Sequence, residues 1–166
     1  ERAELYPNST LITQLKQITG DHQRIYVEQG RWSMQKAPRC ILPPNLATLY
    51  GLYDLQGYDS LTPISAKKVA DAIAHRDAAP PENGNMQLGW PGADKQMLRR
   101  MGVAAVVSWH QEGPSVELIN SPRSILQQGD TDISFDWDNP NQISVKGAVT
   151  SGPLVYAAPY YPGWYA

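Results

Sequence analysis

The chain has 166 residues, a length that suits one domain with a sizeable hydrophobic core. Its formal net charge is -2 and 18% of its residues are charged, so it lacks the basic surface of a protein that binds nucleic acid or anionic membranes. Cys40 is the single cysteine and the three histidines lie far apart, so we expect no internal disulfide, no metal and no cofactor.

Helices and strands alternate in the first part of the chain. The Pro-Asn-Ser segment at 7–9 predicts the start of a helix that ends at Gly20, and residues 24–28 predict a strand. Asn45 is the predicted N-cap of a short helix in which apolar side chains recur at helical spacing up to Tyr53. Ser65 is the predicted N-cap of a helix over residues 66–76, and a further helix covers residues 93–101.

The segment 103–108 is apolar on both faces, and we expect a central strand there that runs parallel to the first strand. Shorter strands are predicted at 115–120, 125–127, 131–137, 142–149 and 154–161, and the last three form an antiparallel meander. The sequence therefore predicts an α/β (α+β) fold. Its α/β part covers residues 1–110, with a short parallel sheet flanked by helices, and a β-rich antiparallel part covers residues 111–166.

Polar, mostly acidic residues alternate strictly with less polar ones between residues 130 and 138, which predicts a strand with one acidic face. Asp130 and Asp132, with Ser134, resemble the beginning of a calcium-binding loop, but Phe135 occupies the position that requires glycine. Alternation in a half-buried strand explains the spacing, and Lys146 on the next strand is the expected cross-strand partner. We therefore predict a solvated face and no calcium site.

The turn at Gly57, Tyr58 and Asp59 has a structural and a functional interpretation. In the structural one, Gly57 adopts a backbone conformation that a side chain would strain, and Asp59 binds nearby amides. In the functional one, Tyr58 and Asp59 face a ligand at a polar lip.

Tryptophan side chains offer a second possible binding surface. Trp32, Trp90 and Trp109 could form a platform for sugar rings, and packing in the core or at an interface explains them equally well. Cys40 has Arg39 beside it but no paired histidine, so we do not expect a thiolate nucleophile. The sequence also has neither a glycine-rich phosphate loop nor a G-x-S-x-G motif.

A family resemblance rests on three segments of the chain. Residues 42–61 have the sequence LPPNLATLYGLYDLQGYDSL, residues 98–108 have LRRMGVAAVVS, and residues 160–164 have YYPGW. Together they resemble the extracytoplasmic domain of the bacterial YfhO family of polytopic membrane proteins. The resemblance covers about residues 5–65 and 98–166. One departure is the sequence Thr-Pro-Ile at 62–64, where the family often has basic residues.

The resemblance implies a function for the parent protein and a place for this segment. Proteins of the family are similar to GT-C glycosyltransferases, which transfer a sugar from a polyprenyl-phosphate donor onto a cell-envelope acceptor. Their catalytic carboxylate lies in a membrane-proximal loop, outside the segment matched here. The chain is then expected to be a single extracytoplasmic domain fragment, truncated at its C-terminal end, on the outer face of a bacterial membrane. It would have no chemistry of its own.

The expected partners are the parent's own transmembrane helices and a glycan or lipid-linked sugar. The residues expected to bind a ligand come from the first matched segment and the aromatic set: Asn45, Tyr50, Asp54, Tyr58, Asp59, Trp32 and Trp90. Two other functions stay open. A carbohydrate-binding module would need an exposed row of aromatic side chains, and a soluble α/β hydrolase would need a nucleophile–base pair in a cleft.

Overall fold

The computed structural model of the chain describes residues 8–20, 22–29, 42–58, 63–79, 86–87, 89–139, 142–146 and 150–158. Three α-helices and one 3-10 helix are described: α1 (Thr10–Thr19), the 3-10 helix (Leu46–Tyr50), α2 (Ile64–Ala74) and α3 (Lys95–Arg100). The strands up to residue 118, here called the first part of the structure, are β1 (Arg24–Glu28), β2 (Tyr53–Asp54), β3 (Gly57–Tyr58), β4 (Met86–Gln87), β5 (Val103–His110) and β6 (Gly113–Leu118). Those of the second part are β7 (Leu126–Gln128), β8 (Thr131–Asp132), β9 (Ser134–Asn139), β10 (Gln142–Lys146) and β11 (Leu154–Tyr156).

A four-stranded sheet with the order β2-β1-β5-β6 organises the first part. Strand β1 is parallel to both β2 and β5, and β6 is antiparallel to β5. Residues Val103 to Val107 are all buried, because β5 lies inside the sheet and has helices on both sides. The prediction of a central strand parallel to the first strand is confirmed, as is the mixed α/β fold class.

Alternate residues of the two inner strands supply separate cores. On one face, Ile25 and Val27 pack with Leu15 of α1 and with Ala47 of the 3-10 helix. On the other, Tyr26 and Val106 pack among side chains of α2 and α3, including Ile73 and Leu98. None of the helices among the described residues has the length and hydrophobicity of a membrane-spanning segment.

Helix α1 begins where residues 7–9 predicted a helix start, whereas the predicted cap of α2 does not hold. Ser9 caps α1, since its Oγ accepts a hydrogen bond from the Ile12 N–H at 3.3 Å. Helix α2 begins at Ile64, so Ser65 lies inside the helix and the predicted cap was wrong. The carbonyl of Pro63 accepts from Lys67 N at 3.1 Å and thereby begins the helical bonding earlier. Asp94 caps α3 through its Oδ1, which accepts from Gln96 N at 2.8 Å and Met97 N at 2.9 Å.

The segment around Asn45 is tighter than predicted. Asn45 is at the predicted N-cap position, but it has a φ of 70°, in the left-handed region, and its side chain makes no capping hydrogen bond. The following residues form one 3-10 turn that ends at Gly51, which also has a left-handed φ of 72°. Tyr53 then belongs to strand β2 rather than to a helix, because the chain must pair with Arg24 of β1 there.

The second part contains a hairpin and a separate three-stranded sheet. Strands β9 and β10 form the predicted antiparallel hairpin. Strand β11, however, pairs with β7 in the order β11-β7-β8, so the predicted three-strand meander was wrong. A small core contains Ile125, Leu126 and Phe135, and Tyr156 and Ala157 pack against it. This packing places β11 beside β7.

The acidic side chains of β8 and β9 are bonded to partners within the chain. Asp136 forms an ion pair with Lys146, as predicted, and Asp138 accepts a hydrogen bond from Ser144. Asp132 Oδ1 accepts from Arg123 Nε at 2.7 Å. Among the described residues, no group of three His, Cys, Asp or Glu side chains is placed to hold a metal ion.

Millimolar calcium is therefore expected to leave the melting temperature unchanged, because calcium would have to displace these cationic and hydroxyl partners. A ligand present at a hundred times its Kd would stabilise the fold by about 2.7 kcal/mol, an effect visible as a shift of several degrees. Thermal unfolding followed by circular dichroism, with and without calcium, measures this. A shift of that size that disappears in Asp136→Asn would contradict the structural interpretation.

Candidate functional site

The carboxyl edge of the parallel strands is the candidate site. From β1 the chain passes to β2 on one side and later returns to β5 on the other side of β1. Open α/β sheets bind their ligands outside the carboxyl ends of the strands at such a reversal of strand order, because the connections there diverge and leave a crevice. The residues at these ends are Glu28 and Gln29 at β1 and Ser108 and Trp109 of β5. Strand β2 ends earlier, at Asp54 opposite Ile25, and Gln56 connects Asp54 to Gln29.

Gly89 pairs with β1 on the side where β2 lies, beyond the residue at which β2 ends. Strand β2 pairs with Arg24 and Ile25, and Gly89 then forms a parallel bridge with Glu28. The Gln29 N–H donates to the Gly89 carbonyl at 3.0 Å. A Cβ at position 89 would lie 1.9 Å from the Val27 carbonyl oxygen, so only glycine allows this close approach.

Two glutamines and a carboxylate form a closed network on the α1 face of the edge. The Gln29 amide donates to the Leu42 carbonyl at 2.6 Å and to Gln56 Oε1 at 3.0 Å. The Gln56 amide donates to the same carbonyl at 3.2 Å and to Asp54 Oδ2 at 2.7 Å. Asp54 Oδ1 also accepts from the Gln56 N–H at 3.0 Å. The network joins the ends of β1 and β2 to the segment that begins the 3-10 helix.

Burial controls the ionisation of Asp54. Desolvation raises the pKa of its carboxyl group to about 6, although the hydrogen bonds from Gln56 and from the Leu55 N–H act in the opposite direction. Asp54 is therefore ionised at neutral pH and titrates in mildly acidic solution. In the ionised form it accepts both Gln56 donors, so this carboxylate holds a neighbouring side chain in place.

The opposite face of the edge carries a single polar contact and a buried aromatic pair. Ser108 Oγ donates to Glu28 Oε2 at 2.7 Å, and both residues are half-buried. Beneath them, the Tyr26 hydroxyl accepts from Trp90 N at 2.7 Å and donates to the Trp90 carbonyl at 3.2 Å. Burial raises the pKa of Tyr26 to about 12.

Trp90 belongs to the core rather than to an exposed platform. Its side chain is 8% exposed and packs among Ala70, Ala74 and Ala78. The guanidinium of Arg76 lies 3.9 Å from the centre of its ring, a cation–π contact that covers the remaining face. Trp90 Nε1 has no hydrogen-bond partner among the described residues.

Trp109 is the exposed tryptophan at this edge. Strand β5 extends two residues beyond Ser108, the last residue paired with β1, and forms the end of a hairpin with β6. Trp109 lies opposite Pro114 and is 41% exposed, and His110 is exposed beside it. Because successive side chains of a strand point to opposite faces, His110 shares the face of the Glu28–Ser108 pair, whereas Trp109 stands on the face of Val107.

The residues predicted to bind a ligand lie in different parts of the structure. Asp54 lies in the network at the edge, and the half-buried Tyr50 packs against the core below it. Asn45 forms the turn before the 3-10 helix, and Tyr58 lies in β3, paired with Met86. Trp32 and Asp59 lie outside the described residues, as does Cys40.

Gly57 does not have the strained conformation that the sequence suggested. Its φ is outside the left-handed region, and a Cβ at this position would meet nothing within 4 Å. The residue lies in strand β3, where pairing with Gln87 keeps the backbone extended. The prediction of an unusual backbone angle at Gly57 was wrong.

Sequence reasoning missed Glu28, Gln29, Gln56 and Ser108. Each lies at or just after the carboxyl end of a strand of the parallel sheet, and that position is the signal that could have identified them. The geometry is thus an edge of paired polar groups with an aromatic hairpin end beside it. Comparison of the chain with protein-family models, with curated proteins and with solved structures gave no match.

Proposed function

We propose that the chain is a non-catalytic extracytoplasmic domain of a bacterial membrane protein of the YfhO type. In this proposal it positions an acceptor or partner during the transfer of a lipid-linked sugar to the cell envelope. The observation that supports the proposal is the hydrogen bonding of Asp54, Gln56 and Gln29 to one another and to the Leu42 carbonyl. These side chains come largely from the segment that carries the family resemblance, and they organise an edge of the sheet.

The serine at this edge is bonded in a way that favours positioning over hydrolysis. A serine nucleophile needs a base that removes its proton and is itself oriented by a third group. Ser108 donates to the carboxylate of Glu28 at 2.7 Å, and His110 lies two residues further along the same strand. Such a pair suits the binding of hydroxyl groups, since a carboxylate accepts and a serine hydroxyl both donates and accepts.

Two measurements test the proposal. The purified chain is expected to show no turnover of 4-nitrophenyl glycosides, 4-nitrophenyl acetate or 4-nitrophenyl phosphate, because Asp54 and Ser108 are engaged by structural partners. Cells that express the parent gene without this segment are expected to lose the envelope glycan while the shortened protein is still found in the membrane.

Two outcomes would overturn the proposal. One is a turnover that is abolished by Asp54→Asn or by His110→Ala. The other is normal glycosylation in cells whose parent protein lacks the segment but accumulates to the usual level. Immunoblotting of membrane fractions provides the required control for protein level.

A further inference from the structure

Strand β6 is the outer strand of the four-stranded sheet, and none of the described residues pairs with its free side. Its other side pairs with β5. The Ile119 N–H donates to the Ala104 carbonyl at 2.9 Å, so these two residues form a directly hydrogen-bonded pair. Because such pairs alternate along an antiparallel ladder, the backbone groups of Pro114, Val116 and Leu118 point away from β5. The free edge therefore offers two N–H groups, those of Val116 and Leu118, and the carbonyl groups of all three residues.

The side chains of these three residues share one face of the sheet, the face on which α1 packs. Val116 lies opposite Val107 and Leu118 lies opposite Ala105, and both partners belong to the core beneath α1. Val116 packs partly on that core, whereas Leu118 is 59% exposed and Pro114 is also exposed. An unpaired strand edge with an exposed leucine is a template for pairing with another strand. A strand laid along β6 would cover Leu118 and extend the core.

The opposite face of β6 is polar. Ser115 and Glu117 alternate with the apolar residues, and Glu117 forms an ion pair with Lys95 of α3. Both members of the ion pair are exposed, so the carboxylate has room for a further donor. A strand that pairs with β6 must therefore supply apolar side chains on one face and a group other than a carboxylate opposite Glu117.

Strand β6 itself meets these requirements when two copies pair antiparallel about Val116. Val116 then lies opposite Val116 of the second copy and Pro114 lies opposite Leu118, so the α1 face stays apolar. On the other face Ser115 lies opposite Glu117, whose carboxylate can accept from the serine hydroxyl. The N–H groups of Val116 and Leu118 in the two copies form about four hydrogen bonds across the interface.

Neighbouring registers are less favourable. A register that pairs Val116 with Leu118 keeps the same number of bonds but places Glu117 opposite Glu117 of the second copy, where like charges repel. A register shifted toward Pro114 loses hydrogen bonds, because proline has no N–H. The edge is therefore complementary to itself in one register, as the interface of a two-fold dimer requires.

We propose that the chain forms a two-fold dimer in which the β6 strands of two copies pair antiparallel about Val116 and join their sheets. Because both copies use the same strand, the assembly closes at two chains. The inference goes beyond the proposed function and does not rest on it.

The test begins with analytical ultracentrifugation of the purified chain from about 10 μM to about 1 mM, the range for an interface smaller than the standard size. We expect an equilibrium between monomer and dimer in this range. Hydrogen exchange followed by NMR locates the interface, because the N–H groups of Val116 and Leu118 should exchange several-fold more slowly at the highest concentration. The Glu117 N–H is the internal reference, since its bond to Val106 of β5 is present in both states.

Matched variants test the strand and its register. Leu118→Lys should weaken the dimer at least tenfold, because it places a hydrated cation against Pro114 of the second copy. Ser115→Lys should tighten the dimer, since the added cation meets Glu117, and Ser115→Glu should weaken it by an amount that added salt reduces. Val155→Lys is the control, because Val155 is 50% exposed on the outer strand β11 of the three-stranded sheet. Thermal unfolding of each variant establishes that the fold is retained.

Four results would overturn the dimer. They are a chain that stays monomeric at the highest concentration, exchange of the Val116 and Leu118 N–H groups that does not depend on concentration, equal losses in Leu118→Lys and Val155→Lys, and equal effects of Ser115→Lys and Ser115→Glu. None of them bears on the proposed function, which is tested by glycosylation in cells and by turnover.

Discussion

Gly89→Ala is expected to destabilise the fold by about 3 kcal/mol, the upper end of the usual cost of overpacking a packed interior, because the added atom meets backbone. The added Cβ would lie 1.9 Å from the Val27 carbonyl oxygen and 3.3 Å from the Tyr26 ring. Relief of the contact would require Gly89 to move away from β1, which breaks its bond from the Gln29 N–H. The measurement is urea unfolding followed by tryptophan fluorescence.

Gly57→Ala is the matched control for this substitution. Gly57 lies in β3 on the same connection, and a Cβ there would meet open space. We expect its free energy of unfolding to change by no more than about 1 kcal/mol. Equal stability of the two alanine variants would contradict the close approach of Gly89 to β1.

The stability of the chain is expected to fall as the pH rises from about 4 to about 6, because of Asp54. Burial raises the pKa of Asp54 in the folded state from 3.8 to about 6. A group whose pKa is raised by folding binds its proton more tightly in the folded state. Its stabilising contribution is therefore complete below pH 3.8 and is lost as the pH rises through about 6. A pKa change of this size corresponds to a change in the free energy of unfolding on the order of 3 kcal/mol.

Asp54→Asn removes this titration and so isolates it. The free energy of unfolding of the wild type minus that of the variant should decrease as the pH rises from 4 to 7. Asp77→Asn is a control of opposite sign, because the hydrogen bond from Lys67 lowers the pKa of Asp77. Stabilisation by Asp77 is present at neutral pH and is lost in acid. A difference for Asp54→Asn that does not depend on pH would contradict the burial of this carboxylate.

Local patterns were sufficient to predict the inner strands of the fold. Residues 24–28 and 103–108 were predicted to be strands. Both faces of β1 and β5 meet apolar layers, and the continuous run of apolar residues in β5 is the direct consequence. The start of α1 was predicted from residues 7–9 because the signals that begin a helix, such as the bond to Ser9, act within its first turn. These features depend on neighbours in sequence.

Features that depend on distant contacts were missed. The pairing of β11 with β7 is fixed by the packing of Tyr156 on residues 30 positions earlier, such as Leu126, and no local pattern contains it. The requirement for glycine at position 89 arises from the Val27 carbonyl on another strand. Asp54 was chosen from the sequence for a possible role toward a ligand, and its partner Gln56 became evident only with the turn between β2 and β3.

The central claim is that this chain positions an acceptor through its carboxyl edge. The most direct test compares envelope glycosylation in cells that express the full-length parent with Trp109→Ala or with Tyr53→Ala, at equal protein levels in the membrane. Tyr53→Ala is the control, because Tyr53 is 43% exposed, similar to Trp109 at 41%, but lies beside Arg24 at the amino end of β1. Our account predicts that incorporation of labelled sugar falls at least several-fold in Trp109→Ala and stays at the wild-type level in Tyr53→Ala. Equal incorporation in the two variants would contradict it.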